Sequence, residues 1–461
     1  MFTIIVTIIA LGVLIFVHEL GHFIAAKINK VRVDKFYLGF DFGGLRLIGF
    51  KGPTTEYGIG LIPLGGYVRL AGELPEDEVL SGAKPPPPPA PDELLAKSPL
   101  QRFTIFIAGP LMNIALAVLL TFGLAVWGIP EPSYLNETPH VTWIEPDSPG
   151  ATAGLQTGDT ITSVNGASVN DWREFRTQLA KTLNEQPERA VVPLSVLRNG
   201  QQITSDLPIP TQTSDAPVPE YSGYFGIGQP VATIFSTISD GAAKDGGLQS
   251  GDKLISVNGV NILSLDQFLY MMGMLNRMNP QEQLEDGEEG APLQFLIRRG
   301  ETEQFLSIKP RYNAVEKKFW LGVAFETPTI NVRHSVPEAL RIAVNDTWFL
   351  TVRTFETFGR LVTGREKLSS LAGPIGIARF AGQAARLGLS SFITFLAFLS
   401  LQLGIINLFP IPVLDGGHLM FLLPEFITGR MVSWRIRLIA SQIGFVLLMA
   451  LFAALIFLDL T

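Results

Sequence analysis

Four stretches of this chain are apolar over the thickness of a bilayer: residues 2–26, 102–128, 392–412 and 434–459. A helix crosses the hydrocarbon core with roughly 20 such residues, because inside lipid every backbone polar group must be satisfied within the segment. Composition agrees. Of 461 residues 47% are hydrophobic and 17% charged, against about a quarter charged in an ordinary soluble domain. The expected class is an α-helical membrane protein with four transmembrane helices. The first run does not read as a cleaved leader. No basic residue precedes it, its pattern continues through Phe23-Ile24-Ala25-Ala26, and the cations Lys27, Lys30, Arg32 and Lys35 follow it. Cations flank cytoplasmic ends of spans. Residues 27–101 and the link carrying Arg430, Arg435 and Arg437 are therefore expected in the cytoplasm, and both termini outside it. The net charge of -7 and the lack of a large basic block make nucleic acid an unexpected partner. Membrane lipid is the expected surrounding. The chain has no cysteine, so any metal must be held by His, Asp or Glu.

Between the spans the pattern changes. Residues 27–74 alternate and are glycine-punctuated, which predicts a membrane-associated β-hairpin or small sheet on the cytoplasmic side. Residues 75–101 form a Pro-rich linker with a stiff run at 85–89. Residues 335–390 carry an apolar stripe through Leu340, Val344 and Trp348. Two placements stay open for that amphipathic helical region: the outer membrane surface, or packing on the domain before it. The stretch 413–433 is expected as a cytoplasmic-side loop.

An internal repeat occupies the large segment between the second and third spans. Ala153-Gly154-Leu155-Gln156-Thr157-Gly158-Asp159 precedes Val164-Asn165-Gly166. Gly246-Gly247-Leu248-Gln249-Ser250-Gly251-Asp252 precedes Val257-Asn258-Gly259. Each copy has a strand, an Asn-Gly hairpin signal and a following helical stretch. The pair resembles two extracytoplasmic PDZ-like (α+β) domains, at 137–212 and 221–326. PDZ domains accept a peptide strand or terminus at a sheet edge. The loops at Gly154-Leu155 and Gly247-Leu248 are the expected places for it. Acting only as spacers is the other reading.

Chemistry concentrates in His18-Glu19-Leu20-Gly21-His22, inside the first span. Residues four apart share one helix face, so both imidazoles can reach one metal, and Glu19 is placed to move the proton of an attacking water. Only five histidines occur in the chain, and polar groups within a span are costly and tend to be functional. Two histidines leave a catalytic zinc one protein ligand short. The candidate third ligand is Asp415, in Asn407-Leu408-Phe409-Pro410-Ile411-Pro412-Val413-Leu414-Asp415-Gly416-Gly417-His418. There Pro410 and Pro412 break the third span, and Gly416-Gly417 permit unusual backbone angles. His418, His140 and His334 read as ordinary histidines.

With a zinc motif in the first span, an Asn-to-Asp-Gly motif after the third and the PDZ-like pair between, the chain resembles the site-2 protease family of intramembrane zinc metalloproteases. The bacterial regulator of sigma-E protease type is the branch it resembles, and the likeness runs through nearly the whole sequence. The resemblance implies a zinc metalloendopeptidase in which His18, His22 and Asp415 bind Zn2+ and Glu19 is the general base. Asn407 then contacts the substrate backbone or a developing oxyanion. It also covers Gly109-Pro110-Leu111-Met112-Asn113, where Asn113 is structural or substrate-contacting. The implied substrates are the transmembrane helices of single-span proteins, an anti-sigma factor after a first cut and remnant signal peptides. The implied location is the bacterial inner membrane, with both termini and the PDZ-like pair periplasmic and the active site toward the cytoplasm. A helix must unwind to be cut. An edge in the β region, at Gly60-Leu61-Ile62 or Gly65-Gly66-Tyr67, is expected to hold the unwound strand. Two rivals are a peptide-binding adaptor with a structural metal and an ion transporter. A free acid at Glu19 argues against the first. Only four spans and the large insert argue against the second.

Overall fold

A computed structural model of the chain describes residues 2–40, 46–60, 62–72, 89–185, 188–209, 225–229, 234–236, 241–278, 285, 287–313, 318–365 and 371–460. The chain divides into two compact units, residues 1–129 with 332–461, and residues 130–331.

The first unit contains four helices long and apolar enough to cross a membrane. Helix α1 spans Phe2–Ile28, and its buried face runs Ala10, Leu14, His18, Gly21, His22, Ala25. That spacing follows the 3.6-residue repeat, so both histidines lie on the face turned into the protein. Helix α2 (Pro99–Trp127) begins on a capping box, in which Ser98 and Gln101 satisfy each other's backbone N–H groups, with Pro99 in the first turn. Two helices then share the region 335–390: α3 (Val336–Val362) and α4 (Pro374–Leu387). Helix α5 (Leu389–Asn407) ends before Pro410 and Pro412. Helices α6 (Asp415–Thr428) and α7 (Trp434–Leu460) complete the unit.

Two expectations are corrected here. The stretch 413–433 is not a loop, because α6 begins at Asp415 once the prolines have turned the chain. Nor do Gly416 and Gly417 serve through unusual angles, since neither has a positive φ. A Cβ on Gly416 would strike the Phe409 carbonyl, and one on Gly417 the Ile411 carbonyl. The glycines let α6 start flush against the proline turn.

Helix α3 packs on α2 and α5. Its small residues face inward, with Ala339 and Ala343 fully buried, while Leu340, Val344, Trp348 and Phe355 are half or more exposed. Such inverted amphipathicity suits a helix whose outer face meets lipid. Asp459 of α7 accepts hydrogen bonds from the N–H groups of Gly373 (3.1 Å), Ile375 (2.9 Å) and Gly376 (3.0 Å). A carboxylate near the end of α7 thereby caps the start of α4.

Four strands follow α1: β1 (Val33–Phe40), β2 (Arg46–Lys51), β3 (Glu56–Gly60) and β4 (Ile62–Leu70). Their order is β2-β3-β1-β4, with β1 and β3 parallel. The β region is thus a four-stranded mixed sheet, with β4 at one edge beside α1. Tyr37 is buried at its centre, stacked on Tyr67 at 5.6 Å, and Gly58 leaves room for its ring.

The second unit shows the repeat as structure. Strands Thr160–Val164, Val191–Arg198 and Gln201–Pro208 with helix Trp172–Glu185 enclose Ile161, Trp172, Phe175 and Leu194 in one core. Strands Lys253–Val257, Leu293–Arg299 and Thr302–Ile308 with helix Leu265–Met278 enclose Phe235, Phe268 and Phe295 in another. Asn165-Gly166 and Asn258-Gly259 both take positive φ, as the tight hairpin turn requires. Asp159 and Asp252, each almost fully buried, bind Arg198 and Arg299 at 2.7 Å. The same arginines donate to the carbonyls of Gly154 and Gly247.

Burial pushes both carboxyls up. Hydrogen bonds from Arg198 and the Gln156 N–H outweigh that for Asp159, as those from Arg299 and the Gln249 N–H do for Asp252, and hold both below the usual carboxylate range. A depressed folded-state pKa contributes stability that is present above about pH 4 and lost as pH falls through the folded value. Arg198→Ala is expected to cost about 2 kcal/mol at pH 7. Hydrogen exchange of the amides in 191–198 should quicken accordingly, and the difference from wild type should shrink below about pH 4.

Candidate active site

Three side chains from two distant parts of the sequence meet between α1 and α6. The Nε2 of His18 lies 3.0 Å from Asp415 Oδ2 and 3.2 Å from the Nε2 of His22. The Nε2 of His22 lies 3.3 Å from Asp415 Oδ1. Among the described residues these three form the one His, Asp and Glu group close enough to share an ion. The three atoms suit zinc. Tetrahedral ligands about 2.0–2.1 Å from that ion are roughly 3.3 Å apart, and a catalytic zinc takes three protein ligands and leaves one position open.

Helix α2 supplies the supporting face, through residues spaced four apart. The Ile105 carbonyl accepts from His22 Nδ1 at 2.8 Å. Gly109 lets the His22 ring approach, since a Cβ there would collide with Nε2. The side-chain amide of Asn113 meets His18 Nδ1 at 3.2 Å. Gly21 does the same work from α1, because a Cβ on it would strike the Ala108 carbonyl. At the foot of α6, Glu425 pairs with Arg102 of α2, both buried.

Glu19 projects from α1 toward the sheet, where its Oε2 accepts from the Val68 N–H of β4 at 2.9 Å. That N–H belongs to β4, the end strand of the sheet. Gly66 of the same strand packs beside the Glu19 side chain. The other expected residues are placed as follows. Gly60 ends β3, an inner strand flanked by β2 and β1, and so offers no free edge. Ile62 begins β4 opposite Phe40, and Leu61 lies outside the described residues. Asn407 ends α5 and is half-buried. His418 stacks on Phe106 at 4.6 Å, and His140 bonds Thr160 at 2.7 Å. In the second unit Leu155 and Leu248 are buried in the two cores, while the Gly154 and Gly247 carbonyls are held by arginine. Sequence reasoning did not reach Val68 or Ile105. Both act through backbone groups, which any residue supplies. It noted Gly109 and Asn113 without finding their histidine partners.

The pattern of Peptidase family M50 matches residues 6–451. Protease RseP of Yersinia pestis is 34% identical, over 98% of this chain and 97% of its own length. Regulator of sigma-E protease RseP of Escherichia coli K12 is also 34% identical over the same shares. A Neisseria meningitidis protein named as a zinc metalloprotease is 32% identical over 100% of this chain and 99% of its own. The chain therefore belongs to Peptidase family M50, the site-2 proteases, and is a zinc metalloprotease of the membrane.

Proposed function

We propose that the chain cleaves peptide bonds inside the membrane, within transmembrane segments of single-span proteins. One observation carries this reading: the cluster of His18, His22 and Asp415 includes two residues within the C-terminal half of a helix apolar enough to span a bilayer. A substrate must reach that depth, and a membrane helix is already there. We take an anti-sigma factor, after a first cut elsewhere, as the regulated substrate, since a relative is named a regulator of sigma-E protease. Remnant signal peptides share the same chemistry and are the second class.

His18, His22 and Asp415 would hold the zinc. When bound, that ion polarises the scissile carbonyl and acidifies water. Glu19 takes the proton of the attacking water and returns it to the leaving amine. The unwound substrate adds as a strand along β4 at Gly66–Val68, taking over the Val68 N–H from Glu19, which brings its backbone beside that acid. Asn407 contacts the substrate backbone or the developing oxyanion. The repeat in 130–331, read as a PDZ-like pair with its loops at Gly154-Leu155 and Gly247-Leu248, filters substrates by the bulk of their extracytoplasmic part. The cations at 27–35 and 430–437 support a cytoplasm-facing active site, with both termini and the repeat in the periplasm of a bacterial inner membrane.

Glu19→Gln tests the chemistry. The variant is expected to keep its zinc and lose cleavage of a single-span reporter by about 10²–10⁴-fold. Cleavage at the wild-type rate overturns the assignment. Gly109→Ala tests the geometry, since the added methyl displaces the His22 ring. Zinc content should fall together with activity, measured by metal analysis of the purified protein.

A further inference from the structure

Asn113 is fully buried, and its side-chain amide faces Nδ1 of His18 at 3.2 Å. The two histidines of the cluster are served differently. His22 Nδ1 faces the Ile105 carbonyl at 2.8 Å. A carbonyl only accepts, so His22 carries its proton on Nδ1 and turns the lone pair of Nε2 toward Asp415. His18 Nε2 points to the same place. For that nitrogen to offer a lone pair, the His18 proton must also sit on Nδ1, and the group facing it must accept. Asn113 has one accepting side-chain atom, Oδ1. With Nδ2 turned to the ring, that oxygen is buried without a hydrogen-bond partner. A half-turn of the amide exchanges its two ends without moving any other atom. It supplies the acceptor that His18 lacks and pairs the oxygen, with Nδ2 taking the place the oxygen held. The residue is also held in place. Ser400 of α5, itself fully buried, donates to the Asn113 backbone carbonyl at 2.8 Å.

We propose that Asn113 is a positioning residue: its Oδ1 accepts the Nδ1–H of His18 and so sets the tautomer and ring plane that aim Nε2 at the zinc. The proposal rests on the reading of His18, His22 and Asp415 as the ligands. It separates Asn113 from the substrate-contacting role its motif leaves open.

The test is zinc affinity of the purified full chain in detergent, by competition with a chromogenic chelator. Asn113→Leu keeps the volume and removes the acceptor. It is expected to weaken zinc about 10–100-fold, the usual effect of removing a partner of a ligating histidine. Asn113→Asp keeps an acceptor in place and is expected to bind zinc at least as tightly as wild type. A packing role alone gives the opposite order, because a carboxylate is harder to bury than leucine. Zinc binding by Asn113→Leu at wild-type affinity, or a greater loss in Asn113→Asp than in Asn113→Leu, overturns the proposal. Should Asn113→Asp fail to fold, judged by circular dichroism, Asn113→Thr supplies a hydroxyl acceptor in its place and must bind zinc more tightly than Asn113→Leu. His22→Ala in the same titration separates the two levels. Unchanged affinity there means that the ligand reading is at fault. Lost affinity there, with Asn113→Leu unaffected, removes only the role of Asn113.

Discussion

Two imidazole nitrogens and a carboxylate, drawn within 3.0–3.3 Å of one another among apolar helices, are the constraint that organises the membrane unit. Polar groups at such depth are costly unless each is engaged. The surrounding helices meet that requirement with backbone as much as with side chains. Ile105, Gly109 and Asn113 recur every fourth residue of α2, and together they face the histidines of α1. One supplies a carbonyl, one supplies space and one supplies an amide. Close approach of α1 and α2 is possible because Gly21 and Gly109 have no side chain.

Delivery of the carboxylate depends on a second tight junction. The prolines end α5, and the chain turns back on itself between Leu408 and Pro412. Two glycines then let α6 begin against that turn, so Asp415 sits in the first helical turn rather than on a free loop. The buried pair of Arg102 and Glu425 ties the far part of α6 to the start of α2. Elsewhere the unit is more open to lipid. Helix α3 turns its large apolar side chains outward, and α7 exposes Ile436, Ile439, Val446 and Leu447. The Asp459 carboxylate is engaged in capping α4.

The sheet joins this arrangement through one hydrogen bond. Glu19 accepts from Val68 of β4, so the acid and the end strand of the sheet are neighbours. The second unit is held together in a different way. Each copy of the repeat buries an aspartate, binds it with an arginine and uses the same arginine to hold a loop carbonyl. The duplication is one of interactions as well as of residues.

Much of this was legible in advance. Bilayer-length apolar runs dictated the spans, because lipid satisfies no backbone group. The four-residue spacing of His18 and His22 placed both on one helix face, since that is a local property of the helix. The repeat announced itself through its Asn-Gly turns. Other features depended on packing between distant segments. The sequence by itself could nominate Asp415 as a ligand. Only the tertiary structure decided that it sits on a helix, that Gly416 and Gly417 matter for space rather than for angle, that Gly60 lies in an inner strand while Val68 faces the acid, and that Asn113 meets His18. The physical reason is common to all four. Periodicity reports which face of an element is apolar, whereas the partner across a junction is set by the approach of backbones that no local pattern encodes.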